Sequence, residues 1–207
     1  MAAFIRGRVA ELKEELLAEA PYFVLPAGAQ ATVKALHERG VRVRVLTNSL
    51  ASNNQLAAHS CYAKTRRRLL QNGMELYELR PDTDAYRPGW SLLSGRSPAA
   101  LHTKAMAFDR EAVFIGSFNL DPRSAVINTE AGLYIESSEL AERLAAYMAT
   151  GVVPANSYRV LLDPKGEIVW ETARDGQSVH YRDEPETGFR RRLAADLLKI
   201  LPIDSQL

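Results

Sequence analysis

Between residues 41 and 79 the chain changes hydrophobic period twice, from two residues to about 3.6 and back to two. Val41, Val43 and Val45 alternate with Arg42 and Arg44, which predicts a strand over 41–46. A polar loop over 47–54 follows. The next segment carries Tyr62, Leu69 and Leu70 at helical spacing and closes on Asn72-Gly73, a helix stop. Residues 74–79 alternate again as a strand. Upstream, Val33 and Leu36 predict a helix over 29–39 ending at Gly40, and Val9, Leu12, Leu16 and Leu17 predict a helix from residue 8. That helix is expected to run into a strand over 17–24, stopped by Pro26-Ala-Gly28. Strand–helix–strand–helix–strand order requires crossover helices, so the expectation is an α/β fold: a mixed, largely parallel β-sheet flanked by helices on both faces.

Further strands are expected over 101–108, 112–115 and 131–135, with Ser138 as N-cap of a helix carrying Leu140, Leu144 and Tyr147. After Pro154 the pattern shortens. Strands over 158–162, 168–173 and 178–182 are joined by Pro164-Lys-Gly166 and Arg174-Asp-Gly176 turns, and a helix runs over 189–201. The division expected is residues 1–154 as one domain and 155–207 as a small β-hairpin and helix extension packed on it. The apolar side of the last helix (Phe189, Leu193, Leu197, Leu198, Leu201) is expected to dock on the sheet; an anionic membrane is its other destination. The stretch 81–99, with Trp90, reads as a loop bordering a site.

Composition excludes several classes. With 46% hydrophobic residues, 12 Gly and 10 Pro in 207 residues, the chain is neither disordered nor collagen-like. One cysteine, Cys61, rules out an internal disulfide or a cysteine-cage metal site and favours a reducing compartment. No run reaches the roughly 18 apolar residues of a membrane span. Twenty-six basic against 25 acidic side chains leave a net charge of +1, which weighs against a nucleic-acid groove.

One constellation carries chemistry: His102-x-Lys104, Asp109 five residues on, then Gly116-Ser117-x-Asn119. On a strand, residues two apart leave the same face, setting an imidazole beside an ammonium. The ammonium suits a phosphate oxygen, and the imidazole can attack phosphorus or move a proton. Gly116 allows close backbone approach, and Ser117 and Asn119 add donors for phosphate oxygens. Such a donor set needs no metal and implies no cofactor. A chance match to six specified positions in a chain this long is on the order of one in a million.

This motif resembles that of the phospholipase D superfamily, and Asn119-Leu-Asp-Pro-Arg-Ser124 with Asn128-Thr-Glu130 looks like its bacterial cardiolipin-synthase-like branch. Pro21-Tyr-Phe-Val24, residues 43–52, 75–79, Asn156-Ser-Tyr-Arg159 and Leu201-Pro-Ile203 resemble blocks of the same branch. Departures occur around Ser60-Cys61 and Thr65. The resemblance implies a phospholipid diester substrate and two facing motifs, one histidine forming a phosphohistidine and the other protonating the leaving alcohol, then activating water or an acceptor alcohol. His102 takes the general acid/base role in a C-terminal motif, with nucleophile as the alternative. Lys104 and Asn119 hold phosphate oxygens, supported by Ser117; Asp109 completes the motif by ordering its turn; Glu130, on the adjoining strand, orients an imidazole.

The chain has one such motif. His37, His59 and His180 are not followed by Lys two residues on and read as helix, loop and strand histidines, His59 nearest the rim of the site. Either two chains meet, or an N-terminal half supplies the second motif; the abrupt start and the upstream blocks favour the latter. The alternatives are a single-motif homodimeric nuclease and an inactive phosphate-binding half. Residues 64–68 are a basic cluster read as a solvated helix face. The expected location is cytoplasmic, or peripheral at the inner face of a bacterial membrane.

Overall fold

The computed structural model describes residues 1–85 and 99–201. Helix α1 (Ala2–Ala10) leads into β1 (Glu15–Glu19); then come α2 (Ala27–Glu38), β2 (Arg42–Asn48), α3 (Leu56–Gln71) and β3 (Glu75–Leu79). After the loop come β4 (Ala105–Phe108), β5 (Ala112–Gly116), the short α4 (Pro122–Val126), β6 (Gly132–Glu136) and α5 (Ser138–Gly151). The chain closes with β7 (Ser157–Leu162), β8 (Ile168–Arg174), β9 (Gln177–Tyr181) and α6 (Phe189–Lys199).

Among the described residues the nine strands form one sheet in the order β6-β5-β4-β1-β2-β3-β7-β8-β9. The fold is a mixed α/β fold with helices on both faces. Its parallel part is smaller than expected: β1–β2 and β2–β3 are parallel, and every other pairing is antiparallel. The reason is covalent. Only α2 and α3 serve as crossovers between neighbouring strands, while β4–β5, β7–β8 and β8–β9 are hairpins that must reverse direction. Strands β7–β9 continue the sheet beyond β3.

Central strand β1 is buried on both faces. Leu16 and Ala18 face the core beneath α2 and α3 with Val33, Leu36, Tyr62 and Leu69; Leu17 faces α5 with Ala105, Ala107 and Met148. A run of leucines buried on both sides fits either period, which is why the helix expected from residue 8 lies earlier and Leu16 and Leu17 belong to a strand. The strand also stops at Glu19, since Pro21 cannot donate to a ladder; Phe23 makes only an isolated bridge to Leu120.

Gly73, closing α3, has φ +84°, and a Cβ there would lie 2.2 Å from the His37 ring, so only glycine lets α2 and α3 end side by side. The N-cap of α5 is Ser137, one residue before the expectation, accepting from Leu140 N. Helix α4 was not anticipated, although Asp121-Pro122 spells its N-cap and first turn. The expected loop over 81–99, Trp90 included, lies outside the described residues at 86–98, as does the Leu201-Pro-Ile203 block past residue 201. Among the described residues no helix is long and apolar enough to cross a membrane.

Candidate active site

The carboxyl ends of parallel strands in an open sheet are where ligands collect, and the motif residues gather at that end of β1 and β2. His102 and Lys104 precede β4 rather than lying on it. The β1 ladder ends at the Glu19–Ala105 pair, so residues 101–104 have no strand beside them on that side. A side chain replaces the ladder. Buried Asn48, the last residue of β2, accepts from Leu101 N (2.8 Å) and donates to Leu101 O (3.1 Å) and Pro21 O (3.4 Å). This clamp fixes the backbone just before His102, and on the other side Gly116 N donates to Lys104 O at 3.2 Å. The His102 side chain projects into solvent, and Lys104, half-buried, donates from Nζ to His102 O at 3.1 Å.

The β5–β6 connection supplies the remaining groups. A Cβ on Gly116 would lie 2.4 Å from Ala131 O, so glycine permits the close approach that lets Ser117 N donate to that carbonyl at 2.8 Å. Ser117 Oγ donates to a Glu130 carboxylate oxygen, and Asn128 Nδ2 donates to the other at 3.2 Å. Glu130 precedes β6 rather than lying on it, because Gly132 is the first residue paired to β5. Its carboxylate is held by Ser117 and Asn128, not by an imidazole. Asn119 is nine-tenths buried; its backbone N donates to Ser124 Oγ, and its Oδ1 has no hydrogen-bond partner among the described residues. Beside it a cavity of ≈ 320 Å³ is lined by Tyr22, Gln55, Asn119, Asp121, Arg123 and Asn128.

Charge is balanced around the ammonium. Burial lowers the Lys104 pKa, opposed by the negative charges of Glu130 and Asp121. Burial also raises Asp121, although its carboxylate caps α4 by accepting from Ser124 N at 2.7 Å. At Glu130 desolvation is the largest single influence and raises the pKa, but hydrogen bonds, chiefly from Ser117, and the Lys104 charge together outweigh it and hold the carboxyl below the usual range.

Asp109 is not brought to this group. It sits past the other end of β4 with φ +48°, where its carboxylate accepts from the backbone N of Lys13, Glu14 and Glu15 at 2.8–2.9 Å. It orders the turn and ties it to the start of β1. His59 lies inside α3, buried against Arg66 and Glu184, and is not at the rim. The spacing of side chains also missed Asn48 and Asp121, whose partners are backbone groups; polar residues ending an otherwise alternating strand were the available signal for Asn48.

Residues 8–150 match the family described as "Cardiolipin synthase, PLD-like domain". The chain belongs to this phospholipase D-like family. Among curated relatives, cardiolipin synthase C of Escherichia coli is 37% identical over 184 residues, which cover 88% of this chain and 39% of that protein. The chain thus spans about two-fifths of that relative's length. Two solved structures share the fold. A phospholipase D family member, Nuc from Salmonella typhimurium, has a TM-score of 0.56 at 16% identity, covering 87% of this chain and 90% of that one. Phosphatidylserine synthase of Haemophilus influenzae has a TM-score of 0.51 at 17% identity, covering 70% and 34%.

Proposed function

We propose that this chain carries one half of a two-histidine site that cleaves or transfers the phosphodiester of a phospholipid. The observation that carries the reading is a single imidazole, His102, standing exposed beside Lys104, Ser117 and Asn119 at the carboxyl ends of the parallel strands. Membership of the cardiolipin synthase family and the 37% identity to cardiolipin synthase C support the lipid substrate.

The chemistry needs a second imidazole. One histidine nitrogen attacks phosphorus; the P–N bond forms as the P–O bond to the leaving alcohol breaks, and the other histidine gives that alcohol its proton. The second histidine then takes a proton from water or an acceptor alcohol, whose oxygen attacks phosphorus and breaks the P–N bond. His102 is assigned the proton-transfer role, Lys104 and Asn119 the phosphate oxygens, and Ser117 and Glu130 the positioning of Lys104 and its neighbours. Residues 1–154 carry this site, and 155–207 extend it. The partner imidazole comes from an N-terminal half or a second copy. Cross-strand neighbours Ile115 and Leu133, with Val126 and Ile127 on the segment leading to Glu130, leave large apolar side chains exposed near this opening, a surface suited to seating that partner.

Turnover of detergent-solubilised phospholipid, a soluble diester dye and DNA, read beside solution mass and with His102→Ala, tests the reading. Activity is expected on lipid and dye only in species holding two such imidazoles, and His102→Ala is expected to lower it about 10²–10⁴-fold. An active monomer would overturn the two-histidine mechanism. A dimer that cuts DNA and spares lipid would overturn the lipid substrate in favour of a nuclease.

A further inference from the structure

Helix α6 is built the reverse of what its sequence suggests. Its main packing is against α3, and its one fully buried residue is the small Ala195. Of the large apolar side chains only Leu198 is half-buried, and the others point away: Phe189 is 70% exposed, Leu193 47%, Leu197 58%, and Ile200 and Leu201, just past the helix, 79% and 47%. Positions 189, 193, 197 and 200 fall within one stripe at 100° per residue. A helix that hides an alanine and presents four large apolar residues is not completing its own core.

The charges around the stripe are one-sided. Residues 189–199 hold Arg190, Arg191, Arg192 and Lys199 against one carboxylate, Asp196, in a chain whose net charge is only +1; Arg192 pairs with Asp183 at 3.4 Å and Lys199 with Asp196 at 2.8 Å. Arg190 is exposed, and Arg68 is exposed on neighbouring α3. Neither makes an ion pair among the described residues.

The helix is also tied to the active-site end of the molecule. Arg191 donates from Nε to Leu50 O at 3.0 Å and from Nη2 to Asn53 O. That loop follows β2; its Asn54 accepts from Tyr22 OH at 2.9 Å, and Tyr22 and Gln55 line the cavity beside Asn119.

From the outward apolar stripe, its cationic flanks and this tether we infer that α6 is an interfacial helix that lies in the surface of an anionic lipid membrane, Phe189, Leu193, Leu197 and Ile200 entering the acyl boundary and Arg190 and Arg68 meeting headgroup phosphates. Apolar burial below and cationic attraction above are the two contributions that hold such a helix. The tether keeps the substrate cavity beside the lipid surface. Its use in turnover rests on the phospholipid substrate proposed above; the binding does not.

The test is co-sedimentation of the 207-residue chain with phosphatidylcholine vesicles with and without phosphatidylglycerol. Binding is expected only with the anionic lipid, weakening as salt rises. Leu193→Glu and Leu197→Glu are each expected to lower partitioning about tenfold or more, while the melting temperature and hydrolysis of a soluble diester stay as in the parent. A gain-of-signal variant avoids reliance on loss. Because Cys61 is buried, Leu193→Cys supplies an accessible thiol for a polarity-sensitive dye, whose emission is expected to shift to the blue on adding anionic vesicles. No binding by the parent, unchanged binding by both glutamate variants, or no dye shift would each overturn the proposal. So would a change in oligomeric state in Leu193→Glu, which would assign the stripe to a protein partner. Failure of the phospholipid reading looks different: vesicle binding persists while a species holding two such imidazoles turns over the soluble diester and spares lipid in detergent.

Discussion

Two opposing influences act on the Lys104 ammonium. Burial lowers its pKa, and the carboxylates of Glu130 and Asp121 raise it. A lysine that binds a phosphate oxygen must be protonated, so phosphate binding should weaken as pH rises through its lowered value. Glu130→Gln removes one raising charge and keeps a group that Ser117 can meet. The expected outcome is an alkaline limb of kcat/KM moved to lower pH than in the parent, measured on a soluble diester in a species holding both histidines; a limb that stays put or moves up would show that Glu130 acts by geometry alone. At this scale the sequence was partly legible. His102, Lys104, Ser117 and Asn119 were visible because they form a motif of side chains at fixed spacing. Asn48 was not, because its work is to hold the Leu101 peptide 53 residues away. Asp109 showed its place in the motif but not its partners, which are backbone N–H groups at residues 13–15.

The β5–β6 connection holds Ser117, Asn119 and Glu130, and Gly116 sets its geometry. A methyl group there would lie 2.4 Å from Ala131 O and 2.6 Å from Gly132 Cα, both backbone atoms with little room to yield. Gly116→Ala must therefore push the 130–132 segment away from Ser117. Overpacking of this kind costs about 1–3 kcal/mol, to be read from urea denaturation. Turnover is expected to fall by about tenfold or more, as small misplacements of positioning groups do; unchanged turnover would show that Ser117 and Glu130 need not be in register. Elements were legible where period and stop signals agreed, as in α2, α3 and the hairpins of the tail. They were misread where burial on both faces blurred the period, as at Leu16 and Leu17, and where a ladder ran out, as before Ala105. For α6 the apolar side was recognised apart from Leu198, and its direction was not, because periodicity shows that a stripe exists without showing what covers it.

Across the whole molecule, a buried ionic network joins the tail to the sheet. Arg66, in a basic run expected to be solvated, is buried because α3 turns it toward β3 and the tail. It pairs with Glu78 of β3 at 3.2 Å and with Glu184, in the connection between β9 and α6, at 2.9 Å. Tyr62 OH and Trp170 Nε1 donate to the same Glu78 carboxylate, at 3.0 and 2.9 Å. Arg66→Met keeps the volume and leaves two buried carboxylates without their cation, which should cost about 3–5 kcal/mol in urea unfolding at neutral pH. The pH dependence then decides whether charge or packing is responsible. Burial opposes ionisation of Glu184, but the Arg66 charge outweighs it and holds the carboxyl well below its ordinary value of 4.5. A depressed carboxyl contributes stability above its unfolded value and loses it as pH falls below about 4.5. In Arg66→Met the opposition of burial is left with only His59 against it, so the loss on acidification should shrink or reverse, and parent and variant should converge as pH falls. Curves that stay parallel down to that pH would assign the whole cost to packing and leave the network no electrostatic part in holding the tail on the sheet.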